Sequence, residues 1–206
     1  MAKGFVLGRR TSDNRGCKVD EMKKYQIIYA DPPWSYWAGG KKNASRHYKC
    51  QDIDWIYNLP VGKIAHDNCA LFMWATFPVL PECIETVKHW GFRYVTTAFV
   101  WIKRNRKSMS WFWGCGNYTR ANAEICLLGI KGTMKRKSKK VHQIIDCAVC
   151  SHSDKPDEIK KRIIDLFGEL PRIELFARPK TFFNDGWDVW GNEVKSDIDL
   201  LQKETP

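Results

Sequence analysis

The chain has 206 residues, of which 44% are hydrophobic and 13% aromatic, and its formal net charge is +11. This length and composition fit one globular domain and exclude a disordered chain. No apolar run approaches the 18 residues of a membrane span, and the N-terminus lacks the apolar core of a secretory signal, so an intracellular protein is expected.

Residues 1–24 are polar overall and lack periodicity, which predicts an N-terminal arm. The apolar segment Tyr25–Ala30 then predicts a buried strand, and it ends in Asp31-Pro32-Pro33-Trp34. Prolines have a fixed φ and no N–H group, so this turn is stiff and presents carbonyl acceptors. Because ligands of open α/β sheets bind beyond the carboxyl ends of the strands, Asp31 is a candidate functional residue.

An acid followed by two prolines suits the binding of an amine on an aromatic ring. The lone pair of such an amine is delocalised into the ring, which makes it a poor nucleophile. The Asp31 carboxylate and the Pro32 carbonyl could accept its two N–H groups and favour the tetrahedral nitrogen that attacks an electrophilic methyl group. Trp34 could stack on the ring, which is worth about 1–3 kcal/mol per base. The alternative is a rigid turn in which Asp31 is only a cap.

Further strands and helices alternate along the rest of the chain. Apolar runs predict strands at Cys69–Ala75, Val95–Ile102, Glu124–Ile130 and Arg172–Ala177. Helical periodicity and terminal signals predict helices over 81–90 and 156–167. Alternation of this kind indicates an α/β doubly wound domain with a mostly parallel sheet. The domain is predicted over residues 25–194, with a polar C-terminal tail over 195–206.

Two clusters of basic residues follow predicted strands and indicate a polyanionic partner. Trp111, Phe112, Trp113 and Tyr118 adjoin the first cluster, which favours nucleic-acid contact over a solvated loop. A core or subunit contact is the alternative for residues 111–113. Both clusters are expected to flank the acceptor pocket. The predicted nucleic-acid contacts are Lys103, Arg104, Arg106, Lys107, Lys135, Arg136, Lys137, Lys139 and Lys140.

A metal site is not expected. The chain has eight cysteines, which are predicted to be reduced thiols in an intracellular protein. Cys147-x-x-Cys150 with His152 nearby is a weak zinc signal, because a closed site needs four ligands at recognisable spacing.

An ordered set of motifs resembles the MT-A70 family of adenine-N6 methyltransferases over roughly residues 25–194. The set begins with Asp31–Trp34, which matches the catalytic tetrapeptide of amino-methyltransferases. It continues through Leu71–Thr76, Trp90–Phe92, Phe99–Lys103, Gly116–Arg120, Glu124–Gly132, Ser151-His152, Lys155–Glu158, Ile173–Arg178, Gly186-Trp187 and Trp190–Glu193.

The resemblance implies a Rossmann-like class I methyltransferase fold with the catalytic strand early and the cofactor strand, Ile173–Ala177, late. Asp31, Pro32, Pro33 and Trp34 would be catalytic. The implied binding residues for S-adenosylmethionine, which leaves as S-adenosylhomocysteine, are Asp13, Asn14, Asp31, Glu174, Arg178, Lys180, Asn192 and Glu193. The implied acceptor-binding residues are Tyr36, Trp37, Tyr48 and Lys131, with the 35–49 loop closing over the acceptor. Lys131 follows the predicted strand Glu124–Ile130 and is expected at its carboxyl end, at the pocket.

The activity expected from this resemblance is methyl transfer to the 6-amino group of adenine in nucleic acid. DNA is preferred, because the chain resembles the bacterial and phage branch of the family. RNA adenine-N6 methylation, DNA cytosine-N4 methylation and a non-catalytic nucleic-acid-binding subunit are the alternatives. Homodimer and heterodimer with a related subunit both remain open. The expected location is cytoplasmic, or nuclear in a eukaryote, and no metal is expected to take part.

Overall fold

A computed structural model describes residues 22–34, 52–116, 118–149, 154–179 and 186–201. Its strands are β1 (Tyr25–Ala30), β2 (Ala65–Ala75), β3 (Arg93–Arg104), β4 (Ala123–Lys131), β5 (Ile144–Ala148), β6 (Arg172–Leu175) and β7 (Trp187–Trp190). Its helices are α1 (Ile53–Tyr57), α2 (Val61–Ile64), α3 (Leu80–His89) and α4 (Glu158–Phe167), and a 3-10 turn at Phe77–Val79 precedes α3. The longest of these described helices have 10 residues, too few to cross a membrane.

The described strands form one seven-stranded sheet in the order β5-β3-β4-β2-β1-β6-β7. Among them, β4 alone is antiparallel, and it pairs with β2 on one side and β3 on the other. The other six strands run in one direction, so their carboxyl ends meet at one edge of the sheet, called here the carboxyl edge. The prediction of a mostly parallel, Rossmann-like α/β fold is confirmed.

The central strand β1 supplies side chains to a core on each face of the sheet. Ile28 and Ala30 belong to the core that includes Val87 of α3, whereas Ile27 and Tyr29 belong to the core that includes α4. All of these β1 side chains are at most 2% exposed. Burial on both faces explains why this strand is apolar along its whole length rather than alternating.

Both predicted helices are confirmed, and their terminal residues explain their bounds. Pro81 lies in the first turn of α3, where a missing N–H group costs nothing, and Gly91 just beyond its end has a φ of 85°. Gly168 after α4 has a φ of 90°, a left-handed conformation that favours glycine over other residues. The two helices lie on opposite faces of the sheet, which makes the fold doubly wound.

The sequence did not predict β5, β7, α1 or α2. All four have only four or five residues each, and β5 lies at the sheet edge with Ile144 57% exposed. The segment 195–201, predicted to be part of a polar tail, contacts the rest of the domain. Asp197 exchanges hydrogen bonds with the backbone of Val189, and Leu200 is 2% exposed within the core.

Candidate active site

The sequence Asp31-Pro32-Pro33-Trp34 leaves β1 at the carboxyl edge of the sheet. The strand lies between two parallel neighbours, since Ala30 pairs with Met73 of β2 and with Leu175 of β6. The Asp31 side chain remains 26% exposed, so a carboxylate faces solvent at the tip of a buried strand. The Trp34 amide donates to the Pro32 carbonyl over 2.9 Å, which closes a tight turn and leaves one lone pair of that oxygen for a second donor.

Trp34 has a different place from the one predicted. Its indole is only 8% exposed, lies within the core, and donates from Nε1 to the Trp74 carbonyl over 2.9 Å. The prediction that Trp34 stacks on an acceptor ring is therefore wrong for this conformation, because the ring is already packed. The indole instead anchors the turn that carries Asp31.

A chain of alternating charges extends from Asp31. Lys155, in the segment before α4, donates from Nζ to Asp31 Oδ2 over 2.7 Å and lies 3.6 Å from Glu124 Oε2. Lys103 then binds Glu124 Oε1 at 2.5 Å. Burial alone would lower the pKa of Lys155, but the carboxylates of Asp31 and Glu124 outweigh it, so the pKa is raised and the ammonium group is retained. Burial would raise the pKa of Glu124, but Lys155 and Lys103 lower it.

Sequence reasoning missed Lys155 and Glu124 as site residues. Lys155 belongs to the motif Lys155–Glu158 of the family resemblance, but no role was predicted for it. A lysine followed by proline at the start of a predicted helix was the signal that could have indicated a role. Glu124 was given no site role, because the other end of this strand, at Lys131, was expected at the carboxyl edge. In the structure β4 begins at the carboxyl edge, which brings Glu124 to Lys155.

A narrow cleft beside Asp31 contains both predicted cofactor residues at the end of β6. It is lined by Tyr29, Asp31, Asp154, Lys155, Glu174, Phe176 and Arg178. Glu174 is 9% exposed, and its Oε2 accepts from Lys160 of α4 at 2.5 Å. Phe176 has a φ of 61°, which is strained for a residue other than glycine, and its ring packs on Trp190 at 5.5 Å. Asn192 and Glu193 follow β7 at the same edge and are exposed.

Comparison with known proteins gives the chain its family. The MT-A70 family model matches residues 25–193. The chain belongs to the MT-A70 family. It is 35% identical over 195 residues to the Type II methyltransferase M.MunI of a Mycoplasma species, and this match covers 84% of the chain and 78% of the relative.

Longer eukaryotic proteins are similar to the same MT-A70 domain. Identity is 29% over 198 residues to the human N(6)-adenosine-methyltransferase catalytic subunit METTL3, covering 93% of this chain and 32% of METTL3. It is 26% over 183 residues to the MT-A70-like N(6)-adenosine-methyltransferase of Arabidopsis thaliana, covering 88% of this chain and 25% of that protein. The chain thus spans about a third or less of these two relatives.

The MT-A70 chain is an S-adenosylmethionine-dependent adenine-N6 methyltransferase, so the predicted enzyme class is confirmed. The residues at the cleft fit the cofactor by their chemistry. The Asp154 and Glu174 carboxylates suit an ammonium group or ribose hydroxyls, and the Arg178 guanidinium suits a carboxylate. Phe176 adds an apolar surface at the same place.

Lys131 lies at the opposite edge of this MT-A70 domain. The residue ends β4, where it pairs with Cys69 at the start of the buried part of β2, and its Nζ donates to the Ala65 carbonyl over 3.4 Å. The prediction that Lys131 lies at the carboxyl edge with Asp31 is wrong, because β4 is reversed. It is not included in the proposed site.

The first basic cluster lies at the carboxyl edge, but most of its side chains bind the chain itself. Lys103 pairs with Glu124, Arg104 forms a bidentate pair with Asp146, and Arg106 Nε donates to the Val149 carbonyl. Lys107 is exposed. Lys103 and Arg104 therefore have structural partners that the sequence did not indicate. The position of the cluster at the carboxyl edge nevertheless puts its exposed residues near Asp31.

The second basic cluster does not flank Asp31. Lys135, Arg136, Lys137, Lys139 and Lys140 are all exposed, but they follow the reversed end of β4. The Lys137 amide donates to the Leu166 carbonyl at the end of α4, which also lies far from the carboxyl edge. The prediction that this cluster flanks the pocket is wrong.

Six predicted site residues lie outside the described parts of the MT-A70 chain. They are Asp13, Asn14, Tyr36, Trp37, Tyr48 and Lys180. Cys150 and His152 also lie outside them. Within the described residues, no group of three or more histidine, cysteine, aspartate or glutamate side chains could hold a metal ion.

Proposed function

We propose that this enzyme methylates the 6-amino group of adenine in DNA. The observation that carries the proposal is the position of Asp31, a partly exposed carboxylate at the carboxyl end of β1, next to a cleft whose charges suit the methyl donor. The similarity to a Type II methyltransferase over most of both chains supports DNA over RNA. RNA adenine and DNA cytosine present a similar exocyclic amine and are the competing acceptors.

Asp31 and the Pro32 carbonyl would hold the two hydrogens of the acceptor amine. Lys155 binds Asp31 Oδ2, and in this proposal Oδ1 accepts from the acceptor amine. Holding both hydrogens out of the plane of the base favours a tetrahedral nitrogen, whose lone pair is no longer delocalised into the ring. S-adenosylmethionine supplies the electrophilic methyl group when bound. The acceptor nitrogen would take this methyl group as the bond from the methyl carbon to sulfur breaks, and the Asp31 carboxylate is placed to accept the proton that the nitrogen would then lose.

Lys155 would act as a positioning residue. Its side chain is 12% exposed and its ammonium group is held between Asp31 and Glu124, so one Asp31 oxygen is fixed and the carboxylate plane is set. Its Nζ also lies 5.4 Å from the centre of the Trp74 ring, a cation–π contact that further fixes the ammonium group. Correct placement of the reacting atoms can account for several kcal/mol of a barrier, up to about 7–11 in the best cases.

The cofactor would bind on the β6 and β7 side of Asp31. We assign its charged and ribose groups to Glu174, Arg178, Asn192 and Glu193, whose positions follow the ends of these two strands. Lys160 lies behind Glu174 and holds that buried carboxylate in position through a 2.5 Å ion pair. The proposed acceptor would place the enzyme with the genome, which means the cytoplasm in a bacterium.

The acceptor is tested by supplying labelled S-adenosylmethionine with separate pools of DNA and RNA, followed by nucleoside mass spectrometry. N6-methyldeoxyadenosine in the DNA pool is the expected product. Label found only in RNA, or only as N4-methyldeoxycytidine, would overturn the proposed acceptor. Retained cofactor binding by calorimetry without any methylated nucleoside would instead favour a non-catalytic subunit.

Substitution of Lys155 by methionine is expected to raise the pKa of Glu124. In the unaltered protein this carboxyl is buried, and Lys155 is the largest influence that lowers its pKa. A lowered carboxyl pKa stabilises the fold above the group's usual pKa, and this contribution is lost as the pH falls through the lowered value. The substitution should therefore move the acid limb of activity and stability to higher pH. NMR titration of labelled glutamate and the pH profile of kcat/KM check this result.

Lys155→Arg is the matched variant for that experiment. It keeps the positive charge, so the Glu124 pKa should stay low even if the geometry at Asp31 suffers. An unchanged acid limb in Lys155→Met would contradict a positioning role through this charge network.

A further inference from the structure

Exposed aromatic side chains are concentrated on one hairpin at the carboxyl edge. The hairpin joins β3 to β4, is described over residues 105–116 and 118–122, and is called here the edge hairpin. Its Trp111, Trp113 and Tyr118 side chains have exposed fractions of 56%, 74% and 102%. Tryptophan and tyrosine are usually much more buried than this, so three such rings on one hairpin suggest a binding surface.

Trp111 is held in place before any ligand binds. The Arg104 guanidinium lies 3.8 Å from the centre of the Trp111 ring, and Asp146 of β5 fixes that guanidinium through two contacts of 2.7 Å. Asn105 Nδ2 donates to the Trp111 carbonyl over 2.9 Å. A ring oriented in this way loses little conformational entropy when a ligand stacks on it.

Trp113 combines an exposed ring with a cation. The Arg120 guanidinium lies 4.8 Å from the ring centre, across the hairpin. The two sides of the hairpin are in close contact, since a Cβ at Gly114 would lie 1.9 Å from the Ala121 carbonyl oxygen. With 74% of Trp113 exposed, a flat ligand could stack on the ring while Arg120 contacts an anionic group beside it.

The charge of the edge hairpin selects a polyanion. Residues 105–122 include Arg106, Lys107 and Arg120 and no aspartate or glutamate. The hairpin leaves β3 just after Lys103 and enters β4 just before Glu124, and both residues belong to the charge chain that ends at Asp31. A polyanion on this surface would therefore lie beside the candidate active site. Aromatic rings with adjacent cations are the usual platform for unpaired nucleotides.

We propose that the edge hairpin is a stacking surface for unpaired nucleotides next to the target base, so that the enzyme binds single-stranded DNA more tightly than the same sequence as a duplex. Its position beside the target base rests on the proposed function. Bases in a duplex have both faces covered by their neighbours, so only unpaired bases can lie on Trp113. Arg120 binds a phosphate of the same strand.

The test compares binding of a fluorescein-labelled 20-nucleotide DNA single strand and its duplex by anisotropy, without S-adenosylmethionine. Trp113→Leu should weaken single-strand binding by about tenfold, the usual scale of one lost base–aromatic contact, and should change duplex binding by less than about threefold. Trp113→Phe should keep most of the single-strand affinity of the unaltered protein, because phenylalanine stacks on bases and leucine does not. Arg120→Ala should weaken single-strand binding and reduce its salt dependence. Arg93→Ala is the charge control, since Arg93 is exposed and begins β3 at the opposite edge.

Three results would overturn this inference. The first is equal loss of single-strand and duplex binding in Trp113→Leu, and the second is no loss in either. The third is a Trp113-dependent dimer in light scattering with unchanged DNA affinity, which would make the hairpin a protein interface. Methyl transfer is measured separately on both DNAs. A failed stacking surface then appears as unchanged binding by Trp113→Leu in an active enzyme, whereas a failed functional proposal appears as no methylation by the unaltered chain.

Discussion

Replacing Asp31 by asparagine is expected to lower the rate of methyl transfer by about two to three orders of magnitude while the fold persists. This is the usual cost of removing one preorganised polar group that contacts the reacting atoms. Asparagine has the same shape but no charge, and it offers one acceptor oxygen where the carboxylate offers two. The fold should survive because Asp31 is 26% exposed and Lys155 retains Glu124 as a partner. Turnover with labelled S-adenosylmethionine and the thermal unfolding midpoint are the two measurements.

Asp165→Asn is the control for this variant. Asp165 is exposed on α4, and its substitution removes the same charge away from the cleft. It should leave turnover within about twofold, as surface substitutions rarely have larger effects. If Asp31→Asn kept more than a tenth of the activity, Asp31 could not be the group that holds the amine.

The second large effect is expected from Lys160→Met. Lys160 and Glu174 form a pair in which the side chains are 6% and 12% exposed, and their charged atoms lie 2.5 Å apart. Trp187 covers the ammonium group at 5.5 Å. Removal of one partner leaves a buried charge without compensation, which typically costs about 3–5 kcal/mol of unfolding free energy. Urea denaturation at constant pH measures this loss, and the affinity for S-adenosylmethionine should fall with it.

A double variant separates the pair from the packing of its side chains. Lys160→Met combined with Glu174→Leu removes both charges and should recover much of the stability that the single substitution loses. If the two single losses simply added, the two groups would not be coupled, and the role assigned to Lys160 behind the cofactor residue would be contradicted.

The sequence predicted those features of the fold and site that depend on local patterns. The uninterrupted apolar run Tyr25–Ala30 and the acid and prolines after it specify a buried strand with a rigid turn at its end, and the structure contains both. Pro81 and Gly91 mark the ends of α3 in the same local way. These features could be predicted because a strand that ends in two prolines, or a helix that ends at glycine, is compatible with few backbone conformations.

Features that depend on how strands pair could not be predicted in this way. An apolar run buried on both faces has the same pattern whether it runs parallel or antiparallel to its neighbours, so the direction of β4 was not available from Glu124–Ile130. That one direction determines that Glu124 lies near Asp31 and that Lys131 does not. The buried position of Lys160 was equally hidden, because lysine on a helix is normally exposed.

The reversal of β4 also affects how this enzyme could change its target. A connection between two parallel strands must cross the sheet, so its length is tied to the packing of a whole layer. The edge hairpin instead begins and ends at the carboxyl edge, because it joins the neighbouring strands β3 and β4, which are hydrogen-bonded to each other. Residues can be inserted, removed or exchanged there while the methyl-donor side of the molecule is untouched. Grafting hairpins from relatives onto this scaffold is therefore a direct route to new acceptor preferences.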